Sequence, residues 1–384
     1  MTDEYFDKFL RQYWLVNAII LFISSFFVFP AFDTYYYWTW SQHLQLSYFD
    51  GPPMIAYLIW ITTHIFGNNF FSLNLVSICC IYGSSYLIYK IVGLFSSSIT
   101  AISAALLWMM FPFTTTRFIA VSMTLDGLEV FFSLLIIYVT FIWIKYQKTN
   151  TIYLLGLVVG LGLLAKYNVV IMVIGLMMFF LLDKNLRKIY YSPHLYLSIV
   201  LALLIFSPVI IWNYQNHWSS FSYQLNSHDW NGGAGAINSA KKHGIRGMWF
   251  YIGSCVFGVL HIYILLVAYF RYVKKFIIPI NYYNKCIRFI IWVILLFWLY
   301  KSYSSHVGLN YMVTVSAFIA IVLGQQVIGT GNIKGLKILI VLFSAISIIM
   351  LIDKSHLHKT HKDEVDSYTK YVVTGLINRP FIKN

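Results

Sequence analysis

Charge is what this sequence is short of. Only 10% of its 384 residues are Asp, Glu, Lys or Arg, where a soluble domain carries about 25%, so water is not the main solvent of the folded chain. Polar stretches long enough for an independent soluble domain are missing too; the longest are 213–247 and 353–384. Cysteine is scarce: Cys79, Cys80, Cys255 and Cys286 lie in or beside apolar runs, with no CxxC and no metal-ligand spacing. This excludes a disulfide framework and leaves the thiols as packing residues. No internal repeat of transporter type, with matched Gly/Pro-broken helices in two halves, is visible.

What the chain has instead is apolar sequence, 59% hydrophobic and 19% aromatic. Apolar runs fall at roughly 14–32, 71–95, 98–116, 127–144, 151–164, 167–182, 195–212, 248–270, 287–300, 309–328 and 338–352, about eleven candidate membrane spans. The runs 151–164 and 287–300 are short for a straight crossing. The first run is long, and no small-x-small cleavage pattern follows it, so it reads as a retained helix rather than a signal peptide. The expected fold is an all-α integral membrane bundle, one domain over residues 1–352 with a polar tail at 353–384.

The net charge of +14 does not imply nucleic acid, because the basic residues sit at helix ends. With the N-terminus (Lys8, Arg11) inside, alternate loops hold Lys90, Lys145, Lys148, Lys184, Arg187, Lys188, Arg271, Lys274, Lys275, Lys285, Arg288, Lys334 and Lys337. Loops on the other side hold only Arg117, Lys166, Lys241, Lys242, Arg246 and Lys301. Cytoplasmic loops attract Lys and Arg, so the charge is topological; the basic tail after Asp353 is the part this rule does not explain. The same rule places 54–66, which could pass for a span. If it crossed, every later Lys-rich loop would face outward. It is therefore expected as a short helix at the outer surface, within a first outer loop of 33–70. A second outer loop, 213–247, carries the flexible run Asn231-Gly232-Gly233-Ala234-Gly235.

There are thirteen acidic residues, few enough to sort one by one. Asp33, Asp50 and Asp126 come from distant sequence positions and all fall at the outer face. Ionisable groups at a membrane margin are costly, which makes them functional candidates. The plainer alternative is a solvated acid beyond a span, or for Asp126 a carboxylate favoured by a helix N-terminus. Glu129, one turn after Asp126, reads as structural and paired with a neighbouring helix; Asp229 reads as an ordinary loop residue. Lys166 sits alone between two short apolar halves, in a tight outward turn. There it is either a point charge for a phosphate at headgroup level or a snorkelling anchor. Arg117 presents the same choice.

The last signal is the run Asp33-Thr34-Tyr35-Tyr36-Tyr37-Trp38-Thr39-Trp40, followed by Tyr48-Phe49-Asp50-Gly51-Pro52-Pro53. An interfacial aromatic belt explains most of it but not an acid at each end. The paired prolines fix an extended turn that aims Asp50.

These residues resemble the first outer loop of membrane glycosyltransferases of the family 39 type, in the C-type (GT-C) superfamily, which includes protein O-mannosyltransferases and enzymes that add aminoarabinose or galacturonate to lipid A. The family's motifs find counterparts in order: Asp33, then Asp50-Gly51-Pro52-Pro53, then Thr124-Leu125-Asp126, then Ala165-Lys166-Tyr167. Trp212-Asn213 with His217-Trp218-Ser219-Ser220-Phe221, and later Ser305-His306, resemble further outer-loop elements. The likeness spans roughly residues 14–328. Three positions depart from the pattern: Thr34 stands for Glu, Gly51 for His or Lys, and Leu125 for Pro.

The resemblance implies a GT-C multi-helix bundle with juxtamembrane helices in the first loop. It also implies inverting transfer of a sugar from a polyprenyl-phosphate donor to an acceptor hydroxyl at the outer face of a bacterial inner membrane. The expected acceptor is a glycolipid such as lipid A or a lipopolysaccharide core. A phosphate leaves without a general acid, so one carboxylate base and one cation suffice. Asp33 is assigned as base, with Asp126 and Asp50 orienting sugar or acceptor. Lys166, Arg117 and His306 are assigned as phosphate contacts, and Tyr36 and Tyr37 as substrate contacts. Asp33 and Asp126 are also the pair that would hold a divalent cation, Mg or Mn, if the reaction uses one. The competing classes are a transporter or flippase, and a non-catalytic binder, of lipid-linked sugars.

Overall fold

The computed structural model describes residues 3–26, 32–109, 125–225, 244–253, 255, 281–304, 307 and 309–329. Among their helices are α1 (Asp3–Ser24), α2 (Phe32–Ser41), α3 (Met54–Phe66), α4 (Phe70–Gly93), α5 (Ser98–Met109), α6 (Leu125–Tyr146), α7 (Thr149–Ala165), α8 (Val169–Leu182), α9 (Pro193–Gln215), α10 (Ser219–Leu225), α11 (Tyr282–Lys301) and α12 (Val313–Gly329). Among the described residues there is no strand, only an isolated bridge between Tyr48 and Gly51. By length and composition α4, α6, α9 and α11 are long and apolar enough to cross a membrane, and α3, α5, α7 and α8 are shorter apolar helices. The runs 338–352 and most of 248–270, and the tail 353–384, lie outside the described residues.

Lipid as solvent is legible on the surface. Helix α9 exposes Leu197, Val200, Leu203 and Leu204, and in water such a stripe would be an aggregation liability. Its interior Pro208 is tolerated because membrane helices can re-satisfy the freed backbone groups. The core between helices is filled by Trp108, Phe141, Phe180 and Phe318, all fully buried.

The helix ends gather as the charge rule requires. At one end of the bundle Arg11 donates to the Tyr89 hydroxyl at 3.0 Å and to Ser98 Oγ at 2.7 Å. There too Lys145 donates to the Leu94 carbonyl at 2.9 Å, and Phe95 stacks on Tyr283. At the other end are Asp33, Asp50, Asp126 and Lys166.

Helix α3 is 13 residues long, about 20 Å and short of the ~30 Å hydrocarbon core. It buries Ile55, Ala56 and Ile59 on the bundle and exposes Trp60, Ile61, Ile65 and Phe66. That one-sided apolar exposure is the pattern of a helix embedded at an interface. The chain then re-enters the bundle through the Asn69–Ser72 capping box that opens α4.

Helices α7 and α9 approach closely through glycine, as membrane helices without a hydrophobic driving force between them do. A Cβ at Gly156 would lie 2.3 Å from the Ser198 carbonyl oxygen, whereas one at Gly93 would meet nothing within 4 Å. We expect Gly156→Ala to destabilise the protein by about 1–3 kcal/mol through overpacking and Gly93→Ala to stay within ~0.5 kcal/mol of wild type. Thermal unfolding in detergent checks the pair; equal melting temperatures would remove the close approach.

Candidate active site

The site starts with a break in a helix. Lys166 has extended backbone (φ −161°, ψ 135°), and its N–H closes α7 on the Gly162 carbonyl. Three residues later α8 begins, with the Val169 N–H donating to the Lys166 carbonyl at 3.2 Å. This turn presents the ammonium to the first turns of α6. Lys166 Nζ lies 2.5 Å from Asp126 Oδ1 and 2.6 Å from Glu129 Oε2, and 5.4 Å from the centre of the Tyr311 ring. Glu129 also accepts from the Thr314 hydroxyl of α12 at 3.1 Å. One buried lysine thus ties α6, the α7–α8 turn and α12 together.

The first outer loop supplies the opposite wall. Tyr48 and Gly51 pair through their backbones, Tyr48 N–H to Gly51 O at 3.1 Å and Gly51 N–H to Tyr48 O at 3.4 Å, which puts Asp50 on the turn between them. Tyr48 is locked by stacking on Trp40, ring centres 4.2 Å apart, and by donating to the Trp40 carbonyl. The Tyr36 hydroxyl donates to Asp50 Oδ2 at 2.7 Å. Two of the departures from the family pattern meet here: a Cβ at Gly51 would lie 3.1 Å from Leu125 and 3.4 Å from Trp40. The Leu125 side chain fills the space beside the residue that lacks one. Thr34 is fully buried and does not line the cavity.

A third wall comes from the segment after α9. Asn213, fully buried, accepts the Phe221 N–H at 3.2 Å and bonds back to the Val209 carbonyl. His217 and Trp218 take left-handed backbone (φ 54° and 58°), so the chain reverses into α10. Gln224 then donates to the Asp50 carbonyl at 2.7 Å, and Tyr223 packs on Phe49. Tyr167, next to Lys166, shares its hydroxyl with Ser47 and Ser220.

The three walls enclose a cavity of about 250 Å³ lined by Asp33, Tyr36, Tyr37, Asp50, Asp126 and Lys166, with Tyr167, Asn168, Tyr223, Gln224, Asn310 and Tyr311 among the rest. Six of the eight residues expected from the sequence therefore share one cavity. The other two, Arg117 and His306, lie outside the described residues, as does Asp229. Sequence reading missed Tyr223 and Gln224, for which it held no signal, and Asn310 and Tyr311, which sit just before α12. It placed Glu129 as a structural partner of a neighbouring helix; the side chain does reach α12, and it also shares Lys166 with Asp126. Among the described residues no group of three or more His, Cys, Asp or Glu side chains is arranged to hold a metal, and Asp126 spends one carboxylate oxygen on Lys166.

Asp33, in the first turn of α2, is solvent-accessible at the cavity mouth. Partial burial pushes its carboxyl above the ordinary range, and the Asp126 charge pushes the same way. A base must be ionised to work, so a raised pKa moves the loss of activity to higher pH. We expect kcat/KM to fall on acidification with a midpoint above the ordinary Asp value of ~4. A pH–rate profile flat down to about that value would take Asp33 out of the role of base.

Architecture and site together define an integral membrane helical bundle with an acid–lysine cavity at one end. Residues 50–212, which include Asp50, Asp126 and Lys166, match the family model described as dolichyl-phosphate-mannose-protein mannosyltransferase. The chain is 28% identical over 245 residues to the lipid A galacturonosyltransferase RgtD of Rhizobium johnstonii, a match covering 55% of this chain and 46% of that protein. It has the fold of ArnT from Cupriavidus metallidurans. The apo structure superposes with a TM-score of 0.60 at 14% identity, over 83% of this chain and 59% of that one. For the structure bound to undecaprenyl phosphate the values are 0.65, 13%, 91% and 71%. The chain thus spans about half the length of the curated relative it matches.

Proposed function

We propose that the protein is an inverting glycosyltransferase that moves a sugar from a polyprenyl-phosphate donor to a hydroxyl of a glycolipid, lipid A or lipopolysaccharide core, at the outer face of a bacterial inner membrane. The observation that carries this reading is the single cavity that brings Asp33 and Asp50 from the first outer loop to the Asp126–Lys166 pair. The relatives support it, one named for lipid A and one solved with undecaprenyl phosphate.

In this reading the acceptor oxygen attacks the anomeric carbon from the face opposite the phosphate. The new C–O bond forms as the bond from the anomeric carbon to the phosphate oxygen breaks, and polyprenyl phosphate leaves with the electron pair. The acceptor proton passes to the Asp33 carboxylate. Lys166 pairs with Asp126 and Glu129, and an N–H of its ammonium serves the departing phosphate. Asp50, held by Tyr36 and by Gln224 on its carbonyl, orients the sugar or the acceptor, with Tyr37 beside it.

A divalent cation between Asp33 and Asp126 would have to compete with Lys166 for the Asp126 carboxylate. We therefore expect turnover to survive EDTA; loss that Mg or Mn restores would place a metal in the site. The reading itself is tested with the full chain in nanodiscs, an undecaprenyl-phosphate sugar and lipid A. Free undecaprenyl phosphate and a matching mass gain on lipid A support it. Movement of intact donor across the bilayer, without release of undecaprenyl phosphate, would indicate a flippase instead.

A further inference from the structure

We infer that the Lys166 ammonium exchanges partners when the donor binds: the lipid phosphate displaces Asp126, while Glu129, one turn further along α6, keeps hold of the lysine. Glu129 is then a positioning residue for the donor phosphate, acting through Lys166. Asp126 is the carboxylate that donor binding releases towards the sugar or the acceptor. The exchange rests on the proposed function and deepens it.

The two carboxylates meet the same nitrogen but stand in different places. Asp126 lies 2.5 Å and Glu129 2.6 Å from Lys166 Nζ. Asp126 is the second residue of α6 and lines the cavity, whereas Glu129 is not among the lining residues. Three residues on, Glu129 sits about 4.5 Å deeper along the helix axis. An ionised group at that depth needs a fixed partner, and deleting the partner leaves a buried charge uncompensated. Asp126 borders a space where water or a substrate hydroxyl can take the place of the ammonium.

Glu129 is also anchored a second time. Its Oε1 accepts from the Thr314 hydroxyl at 3.1 Å, while Oε2 is the oxygen that meets Lys166; Glu129 and Thr314 are both buried. The Tyr311 ring, three residues before Thr314, lies 5.4 Å from Nζ, within cation–π range. Both supports can stay in place while the Lys166–Asp126 contact opens. A phosphate oxygen then takes over as the charge-assisted acceptor, and the ammonium is never without an anionic partner.

Two isosteric variants separate this from a purely structural role, with radiolabelled undecaprenyl phosphate bound to the full chain in nanodiscs at neutral pH and fixed salt. Asp126→Asn removes the group that the phosphate has to displace, so binding is expected at wild-type affinity or tighter while kcat falls. Glu129→Gln loosens the lysine and is expected to bind at least about fivefold more weakly, since misplacing a positioned group by ~1 Å can cost up to about 10²-fold. Thr314→Val keeps every charge and removes only the hydroxyl that fixes Glu129; it should weaken binding in the same direction by less. Glu129→Gln that binds as well as wild type, whatever its melting temperature, overturns the exchange and leaves the proposed function standing. So does Asp126→Asn that weakens binding as much as Glu129→Gln. If Glu129→Gln does not fold, Thr314→Val decides, and unchanged affinity there overturns the role of Glu129. Wild-type protein that does not bind undecaprenyl phosphate would overturn the proposed function and the exchange together.

Discussion

Asp33→Asn is expected to lower kcat about 10²–10⁴-fold, while undecaprenyl phosphate binding stays within a few fold of wild type. The amide keeps the shape of the side chain at the cavity mouth but cannot take the acceptor proton. Because Asp33 is solvent-accessible and lies in the short helix α2, the substitution should leave the bundle as stable as before. Turnover near the wild-type rate would shift the base to Asp50 or Asp126.

Removal of Lys166 has the larger effect on the fold. Lys166→Met leaves Asp126 and Glu129 buried without their counter-ion; both side chains are less than a tenth exposed. Breaking a buried pair by deleting one partner costs about 3–5 kcal/mol, and donor affinity is expected to fall with loss of the cation. The double variant Lys166→Met/Glu129→Gln separates the two consequences. It removes one of the stranded charges, so stability returns in part, while donor binding does not. A Lys166→Met protein that melts with wild type would mean that the three-residue cluster does not form. A stable double variant with normal donor affinity would leave the cluster intact as a structural feature and take Lys166 out of the site.

The difference between these variants shows where sequence reading reached and where it stopped. Charge placement set the expected topology, because Lys and Arg at alternate helix ends have a physical cause in membrane insertion. From that topology Asp33, Asp50, Asp126 and Lys166 could be put on one side, and the cavity joins all four. It also expected 54–66 as a helix at the outer surface, since one flipped span would have inverted every later loop, and the segment is a 13-residue helix with one exposed apolar side. What the sequence could not supply was pairing at ångström scale. Lys166 stood out as the lone cation of its turn, yet nothing in a linear pattern tells whether its ammonium faces a ligand or two carboxylates. Glu129 follows Asp126 by one turn, which gave proximity but not the shared lysine. Tyr223 and Gln224 were invisible for another reason: they enter the site only because the left-handed residues His217 and Trp218 reverse the chain after α9, a conformation that no residue-type rule predicts there.

The coupling of Gly51 with Leu125 belongs to the same class. Each departs from the family pattern, and taken singly each hints at a damaged site. In space they are one change: the leucine side chain lies where a Cβ at residue 51 would come within 3.1 Å. The wall of the cavity is closed by a different pair of residues.

The proposed mechanism requires lipid phosphate and acceptor to meet in the cavity between the first outer loop and the Asp126–Lys166 pair. A structure of the full chain in nanodiscs with undecaprenyl phosphate bound tests it most directly. Phosphate density is expected at charge-assisted hydrogen-bond distance, about 2.7–2.9 Å, from Lys166 Nζ, with the Asp33 carboxylate facing the same space. Phosphate held elsewhere on the bundle, with Lys166 still closed on Asp126 and Glu129 and no ligand contact, would contradict it.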